Sequence, residues 1–235
     1  MVTGLLVFAR CAGFVFRAPG FSHPSVPPAL RAGVAGVLAM AIAPALRGRG
    51  AMSEASFALA LIAEFLLGSA IGMTASLVYD AAYAGGRVID DYVGVKAIAP
   101  SLSLVAPSGF GRVWSLAFTG GYFLSGAYRP ALIGIADSFA RIAPGAPFDA
   151  SGWIAYSGAF AATLVLVALQ VAAPAVALAF VVQIALGALS RVVPRFGSFT
   201  LAFPLAFAAA LVATAIAVPL AAEHIPAPLL AVPIR

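Results

Sequence analysis

Long apolar stretches separated by shorter polar intervals run the length of the chain, at about residues 2–16, 31–46, 55–78, 113–135, 153–185 and 198–221. Inside them apolar and polar residues do not alternate; Ala55 to Val78 shows no period of two. Barrel strands require that alternation, so the pattern predicts helices. A helix crosses the hydrocarbon core of a bilayer in about 20 residues, with a range near 17–25. The third, fourth and sixth stretches meet that requirement. The first two are short, and are expected to form a tilted hairpin or to lie partly outside the core. The fifth is too long for one simple span and contains Pro174. Proline removes a backbone donor and favours a kink, so two helical halves are expected there. The reading is an all-α, polytopic membrane protein, one membrane domain of tightly packed and partly kinked helices over residues 1–235.

Composition sharpens this picture. The chain is 63% hydrophobic and 9% charged, with a mean hydropathy of +1.07. Globular domains carry about 25% charged residues, so water is the wrong solvent for this surface. Lipid suits it, provided every backbone N–H and C=O is paired internally. The net charge of +5 does not indicate nucleic acid, because the thirteen basic residues are scattered over turns and form no run. The basic residues also divide too evenly between alternate turns for the positive-inside rule to set an orientation. Cys11 is the one cysteine, which excludes an internal disulfide and a cysteine metal cluster. The first stretch is interrupted by Arg10 and has no basic leader, so it is expected to stay as a first helix.

Two connections stand out. Residues 79–112 form the longest polar interval, and connections beyond about 12–15 residues are usually functional or disordered. Residues 186–198 make a compact basic turn around Arg191, Pro194 and Arg195. No catalytic constellation appears: His23 and His224 lie at opposite ends, and no hydrolase elbow, zinc-protease or phosphate-loop motif is present. No enzyme activity, cofactor or metal is therefore expected.

Glu64 is the most conspicuous single residue, in the middle of Ala-Leu-Ile-Ala-Glu-Phe-Leu-Leu-Gly. A carboxylate at that depth must face protein or water, pair with a cation, or hold a proton. One reading is a proton-handling site paired with Arg10. The other is a hydrogen-bonding anchor between helices, which is favoured because no second acid in the stretch offers a relay. Gly68 and Gly72, one and two turns further on, place two glycines on one face and permit close helix approach. Residues 98–114 are apolar for a loop yet broken by proline and glycine. Irregular backbone at membrane depth survives only inside protein or along a water-filled cavity. This segment reads either as a loop packed into a pore or as an ordinary solvent loop.

The order of several fragments resembles a known family. Phe8-Ala9-Arg10, Pro19-Gly20-Phe21, Val26-Pro27 and Arg31 are similar to its opening, and Glu64 with Gly68 and Gly72 to its third helix. Ala84-Gly85 and Ile89-Asp90, then Gly94 and Pro100, are similar to the segment leading into its central loop. Asp137-Ser138-Phe139 with Pro144-Gly145 resembles a later loop. Ala173-Pro174, Leu186-Gly187, Leu189-Ser190-Arg191, Pro194, Phe199 and Phe203-Pro204-Leu205 follow in order. Together they resemble the FliR/SctT family, membrane subunits of the type III secretion export gate in its flagellar and injectisome forms.

That resemblance implies a helical export gate in the bacterial inner membrane, shared with two other types of small membrane subunit and joined to larger export components. Unfolded secreted proteins would be its substrates. It implies that residues 98–114, with Pro100, Ser101, Leu102, Leu104, Pro107, Gly109 and Phe110, contribute to a plug. It also implies helices that protrude toward the periplasm after assembly. Arg10, Glu64, Gly68, Gly72, Asp90, Pro174, Arg191 and Pro194 are the expected packing and intramembrane polar positions. Ile89-Asp90-Asp91 looks more like the injectisome form. The competing expectation is a self-contained solute transporter, with its site at the Pro174 break and Glu64 binding a cation. Two similar halves, which such a transporter would show, are not found in the sequence.

Overall fold

A computed structural model describes residues 2–22, 26–46, 54–94, 109–146, 150–193 and 199–224. Among these residues the chain is helical and contains no strand. In order come α1 (Val2–Arg17), α2 (Pro28–Ile42) with a 3-10 turn at Ala43–Leu46, and α3 (Glu54–Val93). Then follow α4 (Gly109–Leu124), α5 (Tyr128–Arg141), α6 (Ala150–Ser190) and α7 (Phe199–His224). Pro28–Leu46, Ser56–Val93 and Ile154–Ser190 are long and apolar enough to cross a membrane. The protein is a multi-pass, all-α membrane protein.

Three elements depart from the hydropathy reading. The third apolar stretch ends near residue 78, but its helix continues to Val93. Ala81, Ala82 and Ala84 are strong helix formers, so polarity rises there without ending the helix. The fourth stretch is divided into α4 and α5 by a turn at Gly126, whose φ of 77° lies where a side chain is strained. The fifth stretch does not fall into halves at Pro174: α6 is one helix of 41 residues with that proline inside it. A proline forfeits one hydrogen bond and crowds one carbonyl, which a membrane helix tolerates by local adjustment rather than by stopping.

The chain folds as two compact units. The first holds the described residues within 2–77 and 122–161. Its apolar core takes Val7, Cys11, Phe14 and Val15 from α1, Leu67, Ala70 and Ile71 from α3, and Ile135 and Phe139 from α5. Within it α1 and α3 run parallel and touch through glycine. A Cβ at Gly72 would stand 2.6 Å from the Phe14 carbonyl oxygen and 2.9 Å from Arg17 Cβ. At Gly68 it would collide with the Arg10 backbone, and Gly13 of α1 meets the Phe65 and Ser69 backbone in the same way. The second unit holds the described residues within 78–121 and 162–224. There Ala172, Ala175 and Ala179 of α6 share a core with Ala206, Ala210 and Ala213 of α7. Small side chains repeated every three or four residues bring helix backbones close, the form of attraction available in lipid.

The glycine contact yields a prediction. Gly72→Val is expected to force α1 from α3 and destabilise the chain by about 1–3 kcal/mol, as overpacking does. The check is the thermal unfolding midpoint in detergent. Gly36→Ala, at a position inside α2 with no atom within 4 Å of the added carbon, is expected to keep or raise the midpoint.

Candidate functional site

The parallel crossing of α1 and α3 sets Arg10 opposite Glu64, one helical turn before Gly68. Arg10 is fully buried and Glu64 is 3% exposed. Arg10 Nε donates to Glu64 Oε2 at 2.5 Å and Nη2 donates to Oε1 at 3.0 Å, a two-point fork. The rest of the guanidinium turns to the end of α5. Nη1 donates to the carbonyl oxygens of Ser138 and Ile142, each at 3.0 Å, and to Ser138 Oγ at 3.2 Å. These carbonyls close the last turn of α5, where the helix dipole favours a cation. The Phe139 ring covers the guanidinium carbon, with its centroid 4.2 Å away. Gly145 N–H donates to Glu64 Oε1 at 2.8 Å. Both ions are thus paired, and the backbone of Ser138, Ile142 and Gly145, with the Ser138 hydroxyl, adds further hydrogen bonds to them. A buried charge persists under that condition.

A second polar knot lies further along α3 in the same unit. The Tyr156 hydroxyl stands 2.6 Å from Thr74 Oγ1 and 2.8 Å from the Ala70 carbonyl oxygen.

In the second unit Asp90 is 1% exposed near the end of α3. Its Oδ1 accepts the Phe110 N–H at 3.1 Å and its Oδ2 the Gly111 N–H at 3.4 Å. These amides belong to the first turn of α4, which has no carbonyl partners of its own. Phe110 itself is buried, 5.3 Å centroid to centroid from Phe207, and Gly109 is exposed.

The predicted positions therefore divide into groups. Arg10, Glu64, Gly68 and Gly72 meet in one place, and Asp90 meets Phe110 in another. Pro174 is exposed on α6, and Arg191 is exposed in the turn beyond it. Pro100, Ser101, Leu102, Leu104, Pro107 and Pro194 lie outside the described residues. The sequence reading singled out Arg10 and Glu64 but not the roles of Gly13, Ser138, Phe139, Ile142 and Gly145. Backbone acceptors carry no side-chain signature; Asp137-Ser138-Phe139 and Pro144-Gly145, fragments of the family resemblance, are the signals that fall there. Among the described residues no three His, Cys, Asp or Glu side chains are grouped to hold a metal ion.

These features define a class: a multi-pass helical membrane protein whose buried charges bind its own backbone. The family follows from the sequence as a whole. Residues 1–229 match the model of the bacterial export proteins, family 1, and the chain belongs to that family. It is 28% identical over 216 residues to the flagellar biosynthetic protein FliR of Bacillus subtilis (strain 168), covering 88% of this chain and 83% of the relative. It is 26% identical over 201 residues to FliR of Escherichia coli (strain K12), covering 83% of this chain and 76% of that one. Both relatives carry the flagellar name, which does not favour the injectisome likeness read from Ile89-Asp90-Asp91.

Proposed function

We propose that this chain is a subunit of a flagellar or type III protein export gate in the bacterial inner membrane. It forms part of the channel for unfolded proteins and performs no catalysis. One observation carries the reading beyond family membership. Helices α3 and α6 have 40 and 41 residues and so extend about 60 Å each, against a hydrocarbon core of about 30 Å. Along α6 large apolar side chains are exposed from Ile154 through Val165, Leu169, Phe180 and Ile184 to Leu189. A bilayer covers about half of such a helix unless it tilts far beyond the usual range near 0–40°. The remainder needs protein, which the other gate subunits would supply, some of it on the periplasmic side. The solitary transporter lacks comparable support: Ala172, Ala173 and Ala175 flank Pro174, and Gln170, one turn before it, is a single polar side chain rather than a set that could coordinate a solute. Glu64 serves here as an anchor rather than a proton carrier, since both its oxygens already accept hydrogen bonds.

The test is to purify the tagged chain from its native bacterium in mild detergent and weigh the particle by native mass spectrometry. Several copies of two other types of small membrane protein are expected with it; recovery alone or as a homo-oligomer would overturn the reading. The central segment is assigned to closing the channel at rest. Deleting Ser101–Gly109 is expected to make the assembled gate leak ions, detected with a membrane-potential dye. Wild-type tightness after that deletion would remove the closing role.

A further inference from the structure

The end of the first unit where α1 gives way to α2 gathers positive charge. Residues 1–53 contain Arg10, Arg17, Arg31, Arg47 and Arg49 and no Asp or Glu. Arg10 is paired with Glu64, but Arg17 lies further on, in the last turn of α1, and Arg31 near the start of α2. Their guanidinium carbons stand 6.0 and 5.8 Å from the centroid of one ring, that of Phe16, so two like charges share one patch. Arg17 makes no ion pair among the described residues, and Arg31 Nη2 donates to the Ser22 carbonyl oxygen at 3.5 Å. The α5 acid Asp137 adjoins Ser138, toward the end of α5 that meets Arg10.

An aromatic and apolar rim surrounds the two cations. A Cβ at Gly20 would stand 2.6 Å from the Phe123 ring, so the turn between α4 and α5 comes to the same place. There the Tyr122 and Tyr128 rings lie 5.3 and 6.1 Å from that of Phe123, and Arg129 is exposed beside Tyr128. From the patch an exposed face runs down α2 through Leu30, Gly33, Val37 and Met40, spaced to lie along one side of the helix. Arginine and aromatic rings above an apolar face are the composition of a membrane interface, where headgroup phosphates meet the first methylenes. Pro28–Leu46 is long and apolar enough to cross a membrane, which sets Arg31 at one end of a span.

We propose that Arg17 and Arg31 bind the phosphate of an anionic phospholipid, with an acyl chain lying along Leu30, Val37 and Met40. Planar guanidiniums suit a phosphate, to which they donate in pairs. The anion also offsets the repulsion between the two cations. An acidic protein segment would answer the charge but not the apolar face that leads from it, so lipid is the better fit.

The test titrates the full chain, purified in a neutral detergent, with phosphatidylglycerol or with phosphatidylcholine of the same acyl chains. Bound lipid is counted by native mass spectrometry. Wild type is expected to prefer phosphatidylglycerol. An arginine beside an anionic headgroup corresponds to about a fivefold change in binding, so Arg17→Gln and Arg31→Gln should each lose about fivefold and the double variant roughly 25-fold. Arg141→Gln removes the same charge from the far end of α5, and is expected to keep the wild-type preference. No preference in wild type would overturn the site, as would an equal loss in Arg141→Gln, which would mean that net charge alone attracts the lipid. Displacement of phosphatidylglycerol by an equal concentration of inorganic phosphate would mean a site for the free ion and would overturn the lipid. So would a double variant that keeps its preference but loses a protein co-purified with wild type. Should the double variant not fold, wild type decides through phosphatidylglycerol with a photoreactive headgroup. Label on the peptides of Arg17 or Arg31 supports the site, and label confined to other peptides overturns it.

Discussion

Arg10→Leu is expected to remove most of the chain from the membrane fraction, with what remains unfolding far below the wild-type midpoint. The substitution leaves the Glu64 carboxylate buried with Gly145 N–H as its one remaining partner among the hydrogen bonds described. It also deprives the carbonyls of Ser138 and Ile142 of the guanidinium that they share. Breaking a buried pair from one side costs about 3–5 kcal/mol, a large part of the 5–15 kcal/mol that holds a typical domain together. Two further variants separate an oriented hub from a simple attraction of charges. Arg10→Lys retains the charge but not the planar fork, and is expected to recover little. The exchange Arg10→Glu with Glu64→Arg restores opposite charges, yet sets a carboxylate against the two carbonyls at the end of α5. It is expected to remain as unstable as the single variants. Full recovery by the exchange would mean that charge alone holds α1 to α3. Glu64→Gln, which keeps an acceptor for Gly145, is expected to be the mildest change, and normal export by that variant would exclude a proton-carrying role. Unfolding midpoints in detergent and quantitative blotting of membranes supply the comparison.

Parts of this network were legible in the sequence, and the reasons are physical. A charge inside an apolar stretch is costly enough to mark itself, so Arg10 and Glu64 stand out without any structure. Gly68 and Gly72 stand out through spacing, which puts them on one face. The third partner does not, because α5 contributes mainly carbonyl oxygens, and Ser138 lies 128 residues from Arg10. Hydropathy located the membrane helices but not their ends. The helix of α3 outlasts its apolar pattern because Ala81, Ala82 and Ala84 sustain it, and Gly85 and Gly86, which read as loop residues, are sites of close packing. Gly85 meets Ala168 of α6 as Gly86 meets Gly111 of α4. Asp90 likewise falls in an interval read as a polar connection, yet it is buried and bonded. One rule joins the two charged sites. Arg10 lies at the carbonyl end of α5 and Asp90 at the amide end of α4, so each buried charge binds backbone groups at the helix end whose dipole it complements.

Arginine placed along the exposed side of α6 is expected to fail in two distinct ways according to position. Ile154, Val165, Leu169, Phe180 and Ile184 are all more than half exposed, and they span most of a helix about twice as long as the hydrocarbon core is thick. Arginine at the centre of a lipid-facing span costs about 2.5–3.5 kcal/mol on insertion scales and less toward the interface. Within one window of about 20 residues, substitutions are expected to reduce the amount of chain inserted. Outside that window insertion should be normal, and the loss should appear instead in recovery of the chain with its gate partners. Burying an unpaired cation against another subunit costs at least as much as burying it in lipid. Membrane level and co-purified particle are measured for each variant on the same preparation. Two classes of variant would mean that part of α6 is covered by protein. A single class, with every loss in insertion and none in assembly, would mean that the helix lies wholly in lipid at a steep tilt, and the argument for a gate subunit from helix length would fall with it.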